Sequence, residues 1–323
     1  MNIKPSLINA IGNTPIVKIN QFNTGLCELY VKLECLNPGG SIKDRIALYM
    51  VEDAENSGLL KEGGTIVEAT AGNTGIGLAL VAAAKQYKLL FVIPDKMSQA
   101  KIDHLRAMGA EIYLTRSDVE RGHPEYYQDL AENLAKNIPN SVYINQFGNL
   151  SNVKAHYEWT GPEIWKQMNG DIDAFVCGVG TGGTLTGVGK YFKEKSSDID
   201  MILADPEGSI LAPLINEGRK IIPGKWLVEG IGEDFIPAIC DIDLVRQAYS
   251  ISDQEAFSTA RALLKKEGIY GGSSTGVLFA AALKYCSVQR KPKKVLTLIC
   301  DGGAKYQDKM YNDQWLKDKG FVL

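Results

Sequence analysis

Lys43 stands in the stretch Asn37-Pro38-Gly39-Gly40-Ser41-Ile42-Lys43-Asp44-Arg45. Ser41 and Asp44 make an approximate capping box, which predicts a helix starting at Ser41 with Lys43 in its first turn. The helix dipole disfavours a positive charge there. The residue alone allows two readings: a solvated surface lysine, or an amine neutral enough to form a Schiff base with an aldehyde cofactor.

Two further loops offer anion-binding chemistry. Thr70-Ala71-Gly72-Asn73-Thr74-Gly75 follows the strand-like TIVE and precedes an apolar helical segment. Its glycines expose N–H groups beside Thr and Asn donors, which suits a carboxylate or a ring hydroxyl. The plainer reading is a helix start capped by Asn or Thr. Gly178-Val179-Gly180-Thr181-Gly182-Gly183-Thr184 lies between the strand-like AFVC and a helix, the arrangement that cradles phosphate. Gly178, Gly180 and Gly183 also satisfy GxGxxG, and Asp205 ends the next strand, where a dinucleotide fold keeps its ribose acid. An NAD-binding dehydrogenase and a ligand-free βα turn both remain open on this loop.

These loops need elements to hold them. Short apolar runs at 29–34, 65–68, 89–93, 111–114, 174–177, 201–204 and 295–299 read as strands. Helical periodicity covers 41–56, 75–85, 103–108, 126–136, 184–193 and 253–266. Strands alternating with helices predict an α/β fold with parallel sheets covered on both faces. So many units predict two domains, with a boundary near the Pro/Asn-rich stretch 138–152. No internal repeat of fixed period is present.

Composition narrows the function classes. The 323 residues hold 35 Lys+Arg against 38 Asp+Glu, a net charge of −3, so a nucleic-acid face is not expected. Glycine is enriched, with 33 residues, without low-complexity sequence, which points to many tight turns. Six cysteines lack CxxC or metal-ligand spacing, and His104, His123 and His156 are far apart, so no metal site is signalled. Scattered thiols, an N-terminus without an apolar signal core and no apolar run of ~18 residues predict a cytoplasmic protein without membrane contact. Trp159, Trp165, Trp226 and Trp315 are expected to pack rather than bind.

The ordered motifs NPGGSIKDR, TAGNTG, GVGTGGT, VEGIGEDFIP and GGSSTG, with Asn13-Thr14-Pro15 ahead of them, resemble the fold-type II pyridoxal 5′-phosphate (PLP) enzymes. Within these, they resemble the cysteine synthase and cystathionine β-synthase family, over nearly the whole chain. The resemblance implies two three-layer αβα domains with mostly parallel sheets, like the tryptophan synthase β fold. It implies a smaller, mobile substrate-binding domain at 48–150 and a larger PLP-binding domain made of 1–47 plus 151–323. Lys43 is then the catalytic lysine that holds PLP as an internal aldimine, and Asn73 bonds the ring hydroxyl. Gly180, Thr181, Gly182, Gly183 and Thr184 cradle the phosphate. Ser273 faces the pyridine nitrogen, with Ser274 the alternative. Thr70, Gly72, Asn73, Thr74 and Gln146 grip the substrate carboxylate, and Gly230, Ile231 and Gly232 line the second-substrate pocket.

A neutral serine opposite the pyridine nitrogen makes the ring a weaker electron sink and favours loss of a β-substituent. The implied activity is β-replacement on L-serine or O-acetyl-L-serine through an aminoacrylate, adding a thiol or sulfide, in a homodimer. Segments 205–210, 228–237 and 312–321 resemble the cystathionine β-synthase catalytic core more than plain cysteine synthases, which places serine with homocysteine ahead of O-acetylserine with sulfide. The animal enzyme's regulatory module and haem-binding extension are not expected. Ala71, where the family usually has serine, and Glu233, where the animal enzymes have an aromatic, depart from the pattern. Asp205 then becomes a site-adjacent or structural acid. A non-catalytic binding scaffold is the reading of another class.

Overall fold

The computed structural model describes residues 3–322. The chain forms two compact units, Asn37–Ala155 with the N-terminal segment through Gly12, and Asn13–Leu36 with His156 onward. The first carries a four-stranded parallel sheet in the order Glu111–Thr115, Lys88–Pro94, Thr65–Glu68, Ser141–Tyr143. Lys88–Pro94 shows why: after Lys88 every residue of KLLFVIP is buried, as a strand covered on both faces requires. The helix Tyr127–Asn137 packs Ala131, Leu130 and Leu134 against Val67, Leu90 and Val92 of this sheet.

Helix Asn73–Lys85 is apolar through most of its length, as a buried helix is, and ends at Gln86 in the left-handed region (φ 61°). It packs on helix Lys43–Asn56 through Gly77, where an added Cβ would lie 2.9 Å from Ala47 Cβ and 3.1 Å from the Lys43 carbonyl oxygen. That close approach draws the 43–56 helix into the first unit. The sequence-based division at 47/48 would cut this helix, whereas the compact units divide at 36/37 and 155/156.

The second unit carries a six-stranded sheet in the order Ile16–Lys18, Cys27–Lys32, Lys293–Leu298, Ala174–Cys177, Asp200–Pro206, Gln247–Ile251. Only the first pair is antiparallel. Ala174–Cys177 and Asp200–Pro206 are buried at every residue. Helix Ser273–Ser287 buries 12 of its 15 residues. Helix Asp253–Glu267 is capped by the Ser252 hydroxyl, which accepts from Glu255 N, and stops at Gly268 (φ 72°). Of the tryptophans, Trp165 lies beside Phe192, and Trp315 beside Phe257 and Phe321.

Candidate active site

Both parallel sheets send their loops out at strand C-terminal ends, where open α/β sheets place ligand sites. In the first unit, Thr65–Glu68 leads into the 70–75 loop and Ser141–Tyr143 into Gln146. Helix Asn73–Lys85 begins at Asn73 itself, and its N-cap, Gly72, makes no side-chain capping bond. The first N–H groups of a helix have no intrahelical acceptor, so this terminus offers donors and a positive dipole end to an anion. Thr70 Oγ1 accepts from Gly72 N at 3.2 Å and fixes the loop. Thr74 Oγ1 donates to Gln146 Oε1 at 2.6 Å, and Asn152 Nδ2 donates to the Gln146 carbonyl at 2.9 Å. Thr70, Thr74 and Gln146 are all buried. The fold thus brings together Thr70, Gly72, Asn73, Thr74 and Gln146.

Lys43 opens the helix Lys43–Asn56. The helix starts two residues later than the capping-box pattern predicts. Ser41 Oγ accepts from Lys43 N at 3.2 Å in a local turn, and Asp44 turns back to accept from Gly39 N. Asp44 therefore closes the 37–41 turn instead of capping the helix.

In the second unit, Ala174–Cys177 leads into the 178–184 loop and helix Gly183–Lys195, whose first turn carries no acidic side chain. The 230–232 loop lies against it. Gly232 N donates to Val179 O at 2.9 Å, and a Cβ on Gly180 would sit 2.5 Å from Gly230 O. Gly182 adopts φ 88° and is pressed against Cys240, 2.4 Å from the site of an added Cβ. Only glycine satisfies both positions. Thr186 Oγ1 donates to Ile239 O and accepts from Asp241 N, Asp253 accepts from Leu227 N and Val228 N, and Ser209 Oγ accepts from Glu233 N. These bonds pin the 227–241 segment at several points.

Ser273 begins helix Ser273–Ser287, is buried, and its Oγ accepts from Glu229 N at 2.9 Å. Its hydroxyl also hydrogen-bonds the Tyr306 side chain. Glu229 is in turn tied to Lys309 at 2.6 Å. Gly272, just before it, is held so closely to Asp301 that a Cβ would lie 1.9 Å from Oδ1.

Three further buried side chains lie on the elements that carry these loops. His156, fully buried, lies 2.9 Å by Nδ1 from Thr160 Oγ1 and 3.2 Å by Nε2 from Thr184 Oγ1, so it orients the threonine closing the glycine loop. It lies in a π-helical turn, His156–Thr160, and no local pattern links it to a loop 28 positions away. Asp205 is buried and accepts from Ala212 N at 2.8 Å, capping helix Leu211–Glu217; burial pushes its carboxyl up to about 6. Buried with its Oδ2 on that helix start, it serves the fold rather than a ribose. Glu68, under the 70–75 loop, is a third such group, and no motif marked it.

The residues fit a phosphorylated aldehyde cofactor. Glycine at 180 and 182 lets the loop pack directly on Gly230 O and Cys240, and the helix terminus beyond supplies N–H donors with no acidic side chain in its first turn. Lys43, at the start of helix Lys43–Asn56, supplies a primary amine in the first unit. A glycine-rich helix start and a lysine opening another helix are parts that a pyridoxal-phosphate enzyme would use. Residues 7–301 match the family model described as pyridoxal-phosphate dependent enzyme, and the chain belongs to that family, whose cofactor is PLP.

The chain is 44% identical to cystathionine β-synthase of Apis mellifera over 99% of its own length, and spans 64% of that protein. It is 44% identical to cysteine synthase 1 of Neurospora crassa, covering 99% of this chain and 86% of that one. Among solved structures, a hydrogen sulfide-producing enzyme from Fusobacterium nucleatum matches with TM-score 0.86 and 42% identity, over 97% of this chain and 99% of that one. An O-acetylserine-dependent cystathionine β-synthase from Helicobacter pylori matches with TM-score 0.84 and 38% identity, over 96% and 99%. The GxGxxG pattern therefore belongs to a PLP enzyme and not to an NAD-dependent dehydrogenase, and the chain is an enzyme rather than a bare scaffold. No described helix is long and apolar enough to cross a membrane.

Proposed function

We propose that this chain exchanges the β-substituent of L-serine or O-acetyl-L-serine for a sulfur nucleophile. Serine with homocysteine, giving cystathionine and water, is the preferred pair. The Helicobacter pylori relative, described as O-acetylserine dependent, supports O-acetylserine as the other donor. The Neurospora crassa relative, described as a cysteine synthase, supports cysteine as the other product, for which the acceptor would be sulfide. The observation that carries the reading is the contact of helix Lys43–Asn56 with helix Asn73–Lys85 across Gly77, which sets a lysine and an anion-binding helix start side by side.

When bound, PLP supplies an aldehyde that captures amines and a ring that stabilises negative charge at the substrate Cα. Lys43 Nζ holds the cofactor, then takes the Cα proton and delivers a proton to the departing β-oxygen. The N–H groups opening helix Asn73–Lys85 receive the substrate carboxylate. Because Thr74 donates to Gln146 Oε1, the Gln146 NH₂ is free to donate to that carboxylate as well. Asn73 donates to the ring hydroxyl. The N–H groups of 180–184 and the Thr181 and Thr184 hydroxyls hold the phosphate. The Ser273 hydroxyl meets the pyridine nitrogen with a neutral partner, and Gly230, Ile231 and Gly232 border the acceptor. A cytoplasmic homodimer is the form in which we expect it to work.

The test is a product analysis with PLP, pairing each donor with each acceptor. Cystathionine from serine and homocysteine, formed faster than cysteine from O-acetylserine and sulfide, is the expected result. No product from any pair would overturn the reading.

A further inference from the structure

Glu68 ends the strand Thr65–Glu68 and is 1% exposed. Its Oε2 makes no hydrogen bond among the described residues. Its position is specific. The 70–75 loop starts two residues later, and the neighbouring strand Ser141–Tyr143 runs parallel to it in the register Val67↔Tyr143. Ile144 N continues that pairing by donating to Val67 O at 3.0 Å, and Asn145, in the left-handed region at φ 52°, turns the chain into Gln146. The backbone N–H groups of Ala69, Gln146 and Asn145 favour the charged carboxylate, but burial outweighs them and pushes the group up to about 8. So one buried carboxyl sits at the root of both segments assigned to the substrate carboxylate.

We propose that Glu68 is a positioning residue of the amino-acid site: neutral, it supports the 70–75 loop and the 145–146 turn, and ionised, it sets a second carboxylate behind the bound one and weakens substrate binding. This rests on the assignment of Thr70, Gly72, Asn73, Thr74 and Gln146 to the substrate carboxylate. The elements packed around the strand carry ionisable groups of both signs. Tyr143 is itself raised by burial and by Glu68, and helix Tyr127–Asn137 adds Tyr127, Asp129, Glu132 and Lys136. Strand Lys88–Pro94 adds Lys88, and helix Asn73–Lys85 adds Lys85. Across that helix lie Lys43, Asp44 and Arg45.

The sign follows from the raised carboxyl. Proton loss through about pH 8 introduces the charge, so affinity is highest well below that pH and falls as pH rises through it. The experiment is a spectroscopic titration of the holoenzyme with L-serine from pH 6.5 to 9.5, comparing wild type with Glu68→Gln and Glu68→Asp. The amine of serine titrates identically in all three. Wild type and E68D should lose affinity more steeply above pH 8 than E68Q, at least fivefold more at pH 9. Equal pH slopes in wild type and E68Q, with serine still bound, would overturn the role of Glu68 and leave the substrate site standing. Absence of binding at every pH of both L-serine and O-acetyl-L-serine, in wild type as in the variants, would overturn the substrate assignment and this proposal with it. A second readout does not use substrate: on thermal unfolding of the chain without cofactor, wild type should lose more stability than E68Q from pH 5 to 8, the gap continuing to widen above pH 6, and matching curves would count against the buried carboxyl's charge state.

Discussion

Thr74 and Gln146, 72 positions apart in the chain, share a buried 2.6 Å hydrogen bond that joins the start of helix Asn73–Lys85 to the segment after strand Ser141–Tyr143. The bond fixes which end of the Gln146 amide faces outward to donate. Thr74→Val should leave Gln146 Oε1 without its donor, at about 1–3 kcal/mol. The KM for the amino-acid donor should rise roughly tenfold or more, with a smaller change in kcat. Steady-state kinetics checks this, and an unchanged KM would separate Thr74 from the substrate.

Gly180 faces the Gly230 carbonyl too closely for any side chain. Gly180→Ala must push the 230–232 loop away from the 178–184 loop. Affinity of the cofactor-free chain for PLP, followed by fluorescence, should drop at least tenfold while the unfolding temperature falls only a few degrees. Tight PLP binding by G180A would contradict the assignment of this loop to the phosphate.

Much of this was legible in the residues. The strand–loop–helix order around 65–85 and 174–195 is written in short apolar runs followed by glycines, because both faces of these strands are buried. Ser273–Ser287 was not legible as a helix: with nearly every residue buried it has no polar face to give a period. The strands Ile16–Lys18, Ser141–Tyr143 and Gln247–Ile251, of three to five residues, are set by pairing with neighbours rather than by local pattern. His156 and Glu68 escaped for a related reason, since each acts on a loop it meets only through folding. The capping box at Ser41 misled by two residues because Asp44 found a nearer donor in Gly39.

Asp205 carries its own pH signature. Its carboxyl is raised to about 6 by burial, so folding favours the protonated form. Stability from this group is full at low pH and falls as pH climbs from about 4 through 6, by about 3 kcal/mol in all. Asp205→Asn keeps an acceptor for Ala212 N and should remove that fall. Thermal unfolding of wild type and D205N between pH 4 and 7 measures the difference, which should grow over that window and then stay level.

Lys32 and Glu163 form a buried ion pair at 2.5 Å, and Lys32 also donates to the Thr14 carbonyl at 2.9 Å and to Gln167 Oε1 at 2.7 Å. Glu163 additionally accepts from Asn13 N and Thr14 N, so the pair anchors Asn13-Thr14-Pro15. Lys32→Met strands a buried carboxylate and should cost about 3–5 kcal/mol. Denaturant unfolding should show the loss, and a change under 1 kcal/mol would mean the network is dispensable.

The central claim is that Lys43 is the residue joined to the cofactor. Borohydride reduction of the yellow holoenzyme, followed by proteolysis and mass spectrometry, tests it directly. The account predicts loss of colour and a pyridoxyl-phosphate adduct on the peptide containing Lys43, and no adduct in Lys43→Ala. An adduct on another lysine, or colour and turnover retained in K43A, would contradict it.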